Sequence, residues 1–243
     1  MPNLSNISIV LVETQSAGNL GSVARVMMNM GLKKLILVDC LAELTDEAFQ
    51  RACGADLLLR SACQVSGLRV ALNPFHLSVA TSSRFVRWFP TACSPRELTS
   101  KLEVLSPSQK IAIIFGPERT GLTNEHLQHC QWQVRIPSAR KFASLNLAHA
   151  VAIVAYELSQ GVDITPSGRG LRLAARSQIE SFSQDLENCL SEIQFLNKQN
   201  PQEVMMTLRQ ILARALLEDR DVRILRGILR QWGWYSRRIR DLQ

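Results

Sequence analysis

The chain has no unbroken apolar run approaching about eighteen residues, which excludes a membrane-spanning helix of ordinary length. No basic stretch precedes its short first apolar run, so the N-terminus reads as a strand and not as a secretory signal. There is no Cys-x-x-Cys pair. Cys40, Cys53, Cys63, Cys93, Cys130 and Cys189 are scattered, and without a secretory signal reduced thiols in a cytoplasmic protein are the expectation. His126, His129 and Cys130 share one face of a predicted helix, but a zinc site needs a fourth ligand and nothing nearby in the sequence supplies it, so no metal is expected. Nor is there a Gly-x-Gly-x-x-Gly fingerprint for a dinucleotide: the first glycine-containing loop reads Gly18-Asn19-Leu20-Gly21.

What is present is 243 residues with 46% hydrophobic content, enough for one large or two modest domains with a real core. The formal charge of +7 favours a polyanionic partner. Residues 220–243 concentrate it, with Arg220, Arg223, Arg226, Arg230, Arg237, Arg238 and Arg240 set against Asp221 and Asp241, and with Trp232, Trp234 and Tyr235 interleaved. That mixture suits phosphate contacts and base stacking, and it equally suits a solvated helix face.

In order along the chain, an apolar run at 7–12 leads through a polar stretch at 13–21 to a helix over 22–30, with Gly31 just past its end and a strand at 35–38. This strand-loop-helix-strand unit predicts a parallel sheet. Arg25, one turn into that helix, is placed to grip a phosphate or a developing oxyanion, or to lie solvated on the surface. A helix is predicted over 45–53, and 56–72 carries no clear period. A strand at 77–80 opens into Thr81-Ser82-Ser83-Arg84, able to hydrogen-bond a polar ligand. Ser94-Pro95-Arg96-Glu97 is a capping box opening a helix to about 105. A further helix at 123–130 and a strand at 132–136 precede a basic loop (Arg140, Lys141), and Ser144 is the predicted cap of a long helix closed by Gly161.

The stretch 111–123, IAIIFGPERTGLT, is the best single candidate for a binding site. A buried strand delivers a tight loop whose only ionisable side chains are Glu118 and Arg119, and ligands of open α/β sheets gather at strand ends. By itself it also reads as an ordinary surface turn. Beyond a Pro- and Gly-containing linker at 162–170, apolar residues recur only at helical spacing, which predicts three amphipathic helices in a small C-terminal domain. The expected organisation is 1–161, linker 162–170, and 171–243.

Three motifs in order, 19–25 (NLGSVAR), 115–122 (FGPERTGL) and 144–151 (SLNLAHAV), resemble the SpoU/TrmH branch of the SPOUT class of RNA methyltransferases. Within it the chain looks most like the TrmJ family, which methylates the ribose 2′-oxygen of cytidine or uridine 32 in the tRNA anticodon loop. The C-terminal segments 195–201 and 224–231 are similar to that family as well. The resemblance implies an α/β fold, a mostly parallel sheet with a C-terminal trefoil knot, followed by the all-α domain, in a homodimer that uses S-adenosylmethionine and no metal. By motif it implies Arg25 as the catalytic residue and Thr81, Ser82, Ser83, Gly116, Ile136, Ala143, Ser144 and Leu145 as donor-binding positions. It implies orienting roles for Asn19, Glu118 and Asn146, and tRNA contacts at Arg84, Arg119, Arg140, Lys141, Arg237 and Arg238. Pro117 departs from the pattern, which commonly has a basic residue there. Methylation of ribosomal RNA or of another tRNA position, and RNA binding without catalysis, are the alternatives.

Overall fold

The computed structural model describes residues 4–84, 86, 89, 92–139, 141–161, 170–196 and 201–240, with backbone only at 201, 214, 236, 237, 239 and 240. Six strands, β1 (Ile7–Val12), β2 (Lys34–Val38), β3 (Cys63–Val65), β4 (Leu77–Thr81), β5 (Ile111–Phe115) and β6 (Trp132–Val134), form one sheet in the order β3-β2-β1-β5-β4-β6. Every pairing is parallel. β1 and β5 are apolar or small throughout and buried along their whole length, as central strands covered on both faces must be. The register Ile7↔Ile111 through Leu11↔Phe115 stacks their β-branched side chains side by side.

The helix after β1 differs from expectation. α1 spans Ala17–Asn29 and takes in Asn19, Leu20 and Gly21, because the Ser16 hydroxyl accepts from Asn19 N at 3.2 Å and caps the helix five residues before the predicted start. Of the two glycines that made this stretch look like a loop, Gly21 serves packing instead. A Cβ on Gly21 would lie 2.0 Å from the Ala48 carbonyl oxygen of α2 (Asp46–Ala52), so only glycine lets these helices approach so closely. Arg25 therefore sits two turns into α1, not one.

The stretch without a clear period resolves into α3 (Asp56–Arg60), β3 and α4 (Leu68–Leu72). The capping box of Ser94 and Glu97 opens α5 (Pro95–Leu102) as the sequence indicates, and Thr123 caps α6 (Asn124–Gln128) with help from the His126 ring. β6 ends at Val134, two residues before Ile136. The long helix α7 (Leu147–Gln160) starts two residues later than predicted. Asn146, not Ser144, is its cap, accepting from Ala148 N at 2.9 Å and His149 N at 3.4 Å.

The chain divides into two compact units, Met1–Leu171 and Arg172–Gln243. Most of the expected linker, 162–169, lies outside the described residues. Leu171 belongs with the first unit, donating to the Val104 carbonyl and accepting from Ser106 N, both at 2.9 Å. The second unit holds α8 (Arg176–Glu192), α9 (Pro201–Arg214) and α10 (Asp219–Arg240). Its core joins Ala174, Phe182 and Val222, with Leu186, Leu212 and Leu225 packed against them. The Arg226 guanidinium meets Asp185 at 2.9 Å across α10 and α8. Among the described residues no helix is long and apolar enough to cross a membrane.

Candidate active site

The carboxyl ends of β4, β5 and β6, neighbours in the sheet or one strand apart, release three loops on the same edge, where α/β sheets usually bind ligands. With the N-terminus of α7 they enclose a cavity of about 310 Å3, within the range of small-molecule sites. It is lined by Thr81, Ser82, Ser83, Gly116, Ile136, Ala143, Ser144 and Leu145, together with apolar Phe115, Leu122, Val134 and Leu147 and the charged Arg84, Glu118 and Arg119. All eight donor-binding positions carried over by motif are thus in one place.

Each wall has its own support. Thr81 Oγ1 donates to the Ile114 carbonyl at 2.8 Å, tying the β4 loop to β5. Gln133, 1% exposed, donates its amide to the carbonyls of Arg84 at 2.8 Å and Ser82 at 3.3 Å. Sequence reasoning passed over Gln133. Its only signal is an amide in an otherwise apolar strand. The Arg84 guanidinium donates to the Leu122 carbonyl, so this side chain, expected at the RNA, binds the neighbouring loop. The β5 loop closes on itself through Gly121 N to the Pro117 carbonyl at 2.8 Å. A Cβ on Gly116 would meet Leu122 N at 2.3 Å, so the loop folds back over a residue that must lack a side chain.

A second set of bonds fastens this edge to α1. The Glu118 carboxylate accepts from Asn19 Nδ2 at 2.9 Å, Gln15 N at 3.2 Å and Ser16 N at 3.3 Å, placing a negative charge at a helix N-terminus. Asn19 Oδ1 accepts from Asn146 Nδ2 at 2.9 Å, and Asn146 in turn caps α7. The three residues assigned to orientation therefore form one continuous chain across α1, the β5 loop and α7. Burial pushes the Cys40 thiol above its ordinary value, with the Glu118 charge adding to the effect, and burial does the same to Cys93. Both stay protonated near neutral pH and are poor nucleophiles.

Arg25 is not among the residues lining the cavity. Its Nη1 donates to Cys53 Sγ at 3.3 Å, on the rim of α2. Of the other expected cations, Arg119 lines the cavity and Lys141 is exposed. Arg238 lies 5.2 Å from the Trp234 ring. Arg140 and the side chain of Arg237 lie outside the described residues.

The SpoU rRNA Methylase family matches residues 6–156, and the C-terminal domain of the tRNA methyltransferase TrmJ matches residues 177–241. The chain is 40% identical over 233 residues to the tRNA (cytidine/uridine-2'-O-)-methyltransferase TrmJ of Pectobacterium atrosepticum, covering 93% of this chain and 96% of that protein. It is 38% identical over 239 residues to the tRNA (cytidine/uridine/adenosine-2'-O-)-methyltransferase TrmJ of Pseudomonas aeruginosa, covering 93% of each. The crystal structure of TrmJ from Z. mobilis superposes with a TM-score of 0.81 at 28% identity, over 96% of this chain and 99% of that one.

Proposed function

The chain belongs to the SpoU methylase family and ends in a TrmJ-type C-terminal domain, and on that premise we propose that it transfers a methyl group from S-adenosylmethionine to a ribose 2′-oxygen of tRNA, at cytidine or uridine 32 of the anticodon loop. The observation that carries this reading is the single cavity lined by all eight motif-derived positions. Its composition fits the donor. Backbone and hydroxyl groups of three strand-end loops suit an adenosine's polar edges, and Ile136, Leu145 and Leu122 give apolar walls for a purine.

When bound, the donor supplies a methyl group already activated on a sulfonium. The chain's own tasks are to align the 2′-oxygen with that methyl and to make a weakly acidic hydroxyl nucleophilic. The Arg25 guanidinium offers only donors and no acceptor, and is therefore unsuited to act as a base. It stabilises the developing alkoxide and positions the adjacent phosphate. No metal takes part.

Because Arg25 stands outside the cavity of its own chain, the reading takes the guanidinium from the partner of a homodimer, in which a two-fold axis would make two such sites. Met28 of α1 and Ile153 and Tyr156 of α7, on two helices that pack together, are exposed apolar side chains suited to such an interface. The glutamate and two asparagines that connect α1, the β5 loop and α7 would hold the geometry. Arg119, Lys141 and Arg238, with Arg140 and Arg237, are the basic residues assigned to tRNA. Residues 1–161 form the methyltransferase domain, with the implied knot, and 171–243 the extension of a cytoplasmic enzyme.

Incubation with methyl-labelled donor and total tRNA, followed by digestion to nucleosides, is expected to give 2′-O-methylcytidine or 2′-O-methyluridine mapping to position 32. Label confined to methylated bases would overturn the reading, and 2′-O-methylation of ribosomal RNA alone, offered in a parallel incubation, would favour the ribosomal RNA alternative instead.

A further inference from the structure

The loop between β6 and α7 carries an aromatic side chain that no part of the mechanism uses. Phe142 is 82% exposed, yet it directly precedes Ala143, Ser144 and Leu145, three consecutive residues of the cavity wall. The loop that presents it is held by its own hydrogen bonds. Phe142 N donates to the Ala139 carbonyl at 2.9 Å, and Ser138 Oγ donates to the Ala143 carbonyl at 3.3 Å. A phenylalanine fixed in water at this place needs a partner that is aromatic or apolar on one face. The charge around it narrows the choice: Lys141 is its neighbour in sequence, and Arg119 and Arg84 line the same cavity against the single carboxylate of Glu118. An exposed ring next to a lysine, on the loop that walls a cavity with more cationic than anionic side chains, fits a nucleic acid, whose bases offer π-faces and whose phosphates offer charge.

We propose that the Phe142 ring is the platform on which the nucleobase of the target nucleotide stacks while its ribose enters the cavity. The proposal rests on the reading of the site as a tRNA ribose methyltransferase and deepens it. Stacking grips a base without reading its edge, because every base has a face. That is the contact an enzyme acting on the sugar needs if it is to accept more than one base. It also separates the tasks: the three loops hold the donor, Arg25 meets the sugar, and Phe142 holds the base.

The test uses the full-length protein, S-adenosylhomocysteine, and an anticodon stem-loop RNA bearing fluorescent pyrrolo-cytidine at the target position. Binding to the wild type is expected to quench the probe. Phe142→Trp is expected to keep the quenching, while Phe142→Ala and Phe142→Leu lose it, leucine showing that bulk without a π-face does not suffice. Methyl transfer to unlabelled tRNA should fall about 5- to 150-fold in kcat/KM for both, the span that one stacked base is worth. Donor affinity by calorimetry and mass by sedimentation should not move.

Retained quenching or unchanged kcat/KM in Phe142→Ala would overturn the proposal. So would loss of donor affinity or of the dimer, which would make Phe142 a structural or interface residue. A wild type that methylates no RNA would sink the underlying reading. A wild type that methylates tRNA beside an equally active Phe142→Ala would sink this proposal alone.

Discussion

Gln133 shows how much of a binding site can depend on a residue that touches no ligand. Its buried amide donates to two carbonyls of the 81–84 loop, contributed by residues 51 and 49 positions away. Gln133→Leu keeps similar bulk and leaves both carbonyls without that donor. At about 1–3 kcal/mol for each buried group left unmatched, donor affinity measured by calorimetry is expected to fall about tenfold or more. An unchanged affinity would mean that the loop holds itself. This role was not readable in the sequence, because an amide in a strand of three residues looks like any polar position and its partners lie far along the chain. The hydroxyls of 81–83 and the glycine at 116 were readable, since they stand in motifs where the backbone must bend and bond. Ser144 was misread as a cap because serine and asparagine cap equally well, and only the geometry selects Asn146.

At the scale of elements, the junction of α1 and α2 was the least legible in the sequence. The buried strands at 7–12, 77–80 and 111–115 announced themselves as apolar runs rich in β-branched residues. The start of α1 did not, because Gly18 and Gly21 oppose helix by propensity, and Gly21 is needed there for the close approach of α2. This reverses an ordinary rule. Alanine in place of glycine inside a helix normally stabilises by about 0.5–1 kcal/mol. Gly21→Ala is expected to destabilise by about 1–3 kcal/mol or more in urea unfolding, since its Cβ would strike the Ala48 carbonyl and force the helices apart. Turnover should suffer more than donor affinity, because α1 carries Asn19 and Arg25 while the donor loops lie elsewhere. A more stable variant would show that the junction is slack.

For the whole molecule, the sequence disclosed two kinds of architecture, strands alternating with helices and then helices alone. It could not disclose the strand order β3-β2-β1-β5-β4-β6, because nothing local records that the chain crosses the sheet after β3 and inserts β5 beside β1. That crossing brings the loops after residues 81, 115 and 134 to one edge and makes the cavity. It leaves Arg25 outside the cavity, so in the proposed reaction a second chain supplies the guanidinium. The decisive measurement is methyl transfer by a mixture of Arg25→Ala and Gly116→Ala proteins, unfolded and refolded together in equal amounts. Each alone is expected to be inactive, with Arg25→Ala still binding the donor. If cavity and guanidinium come from different protomers, half of the randomly formed dimers hold one intact site of two, and about a quarter of wild-type activity returns. A mixture as inactive as its components would contradict the account.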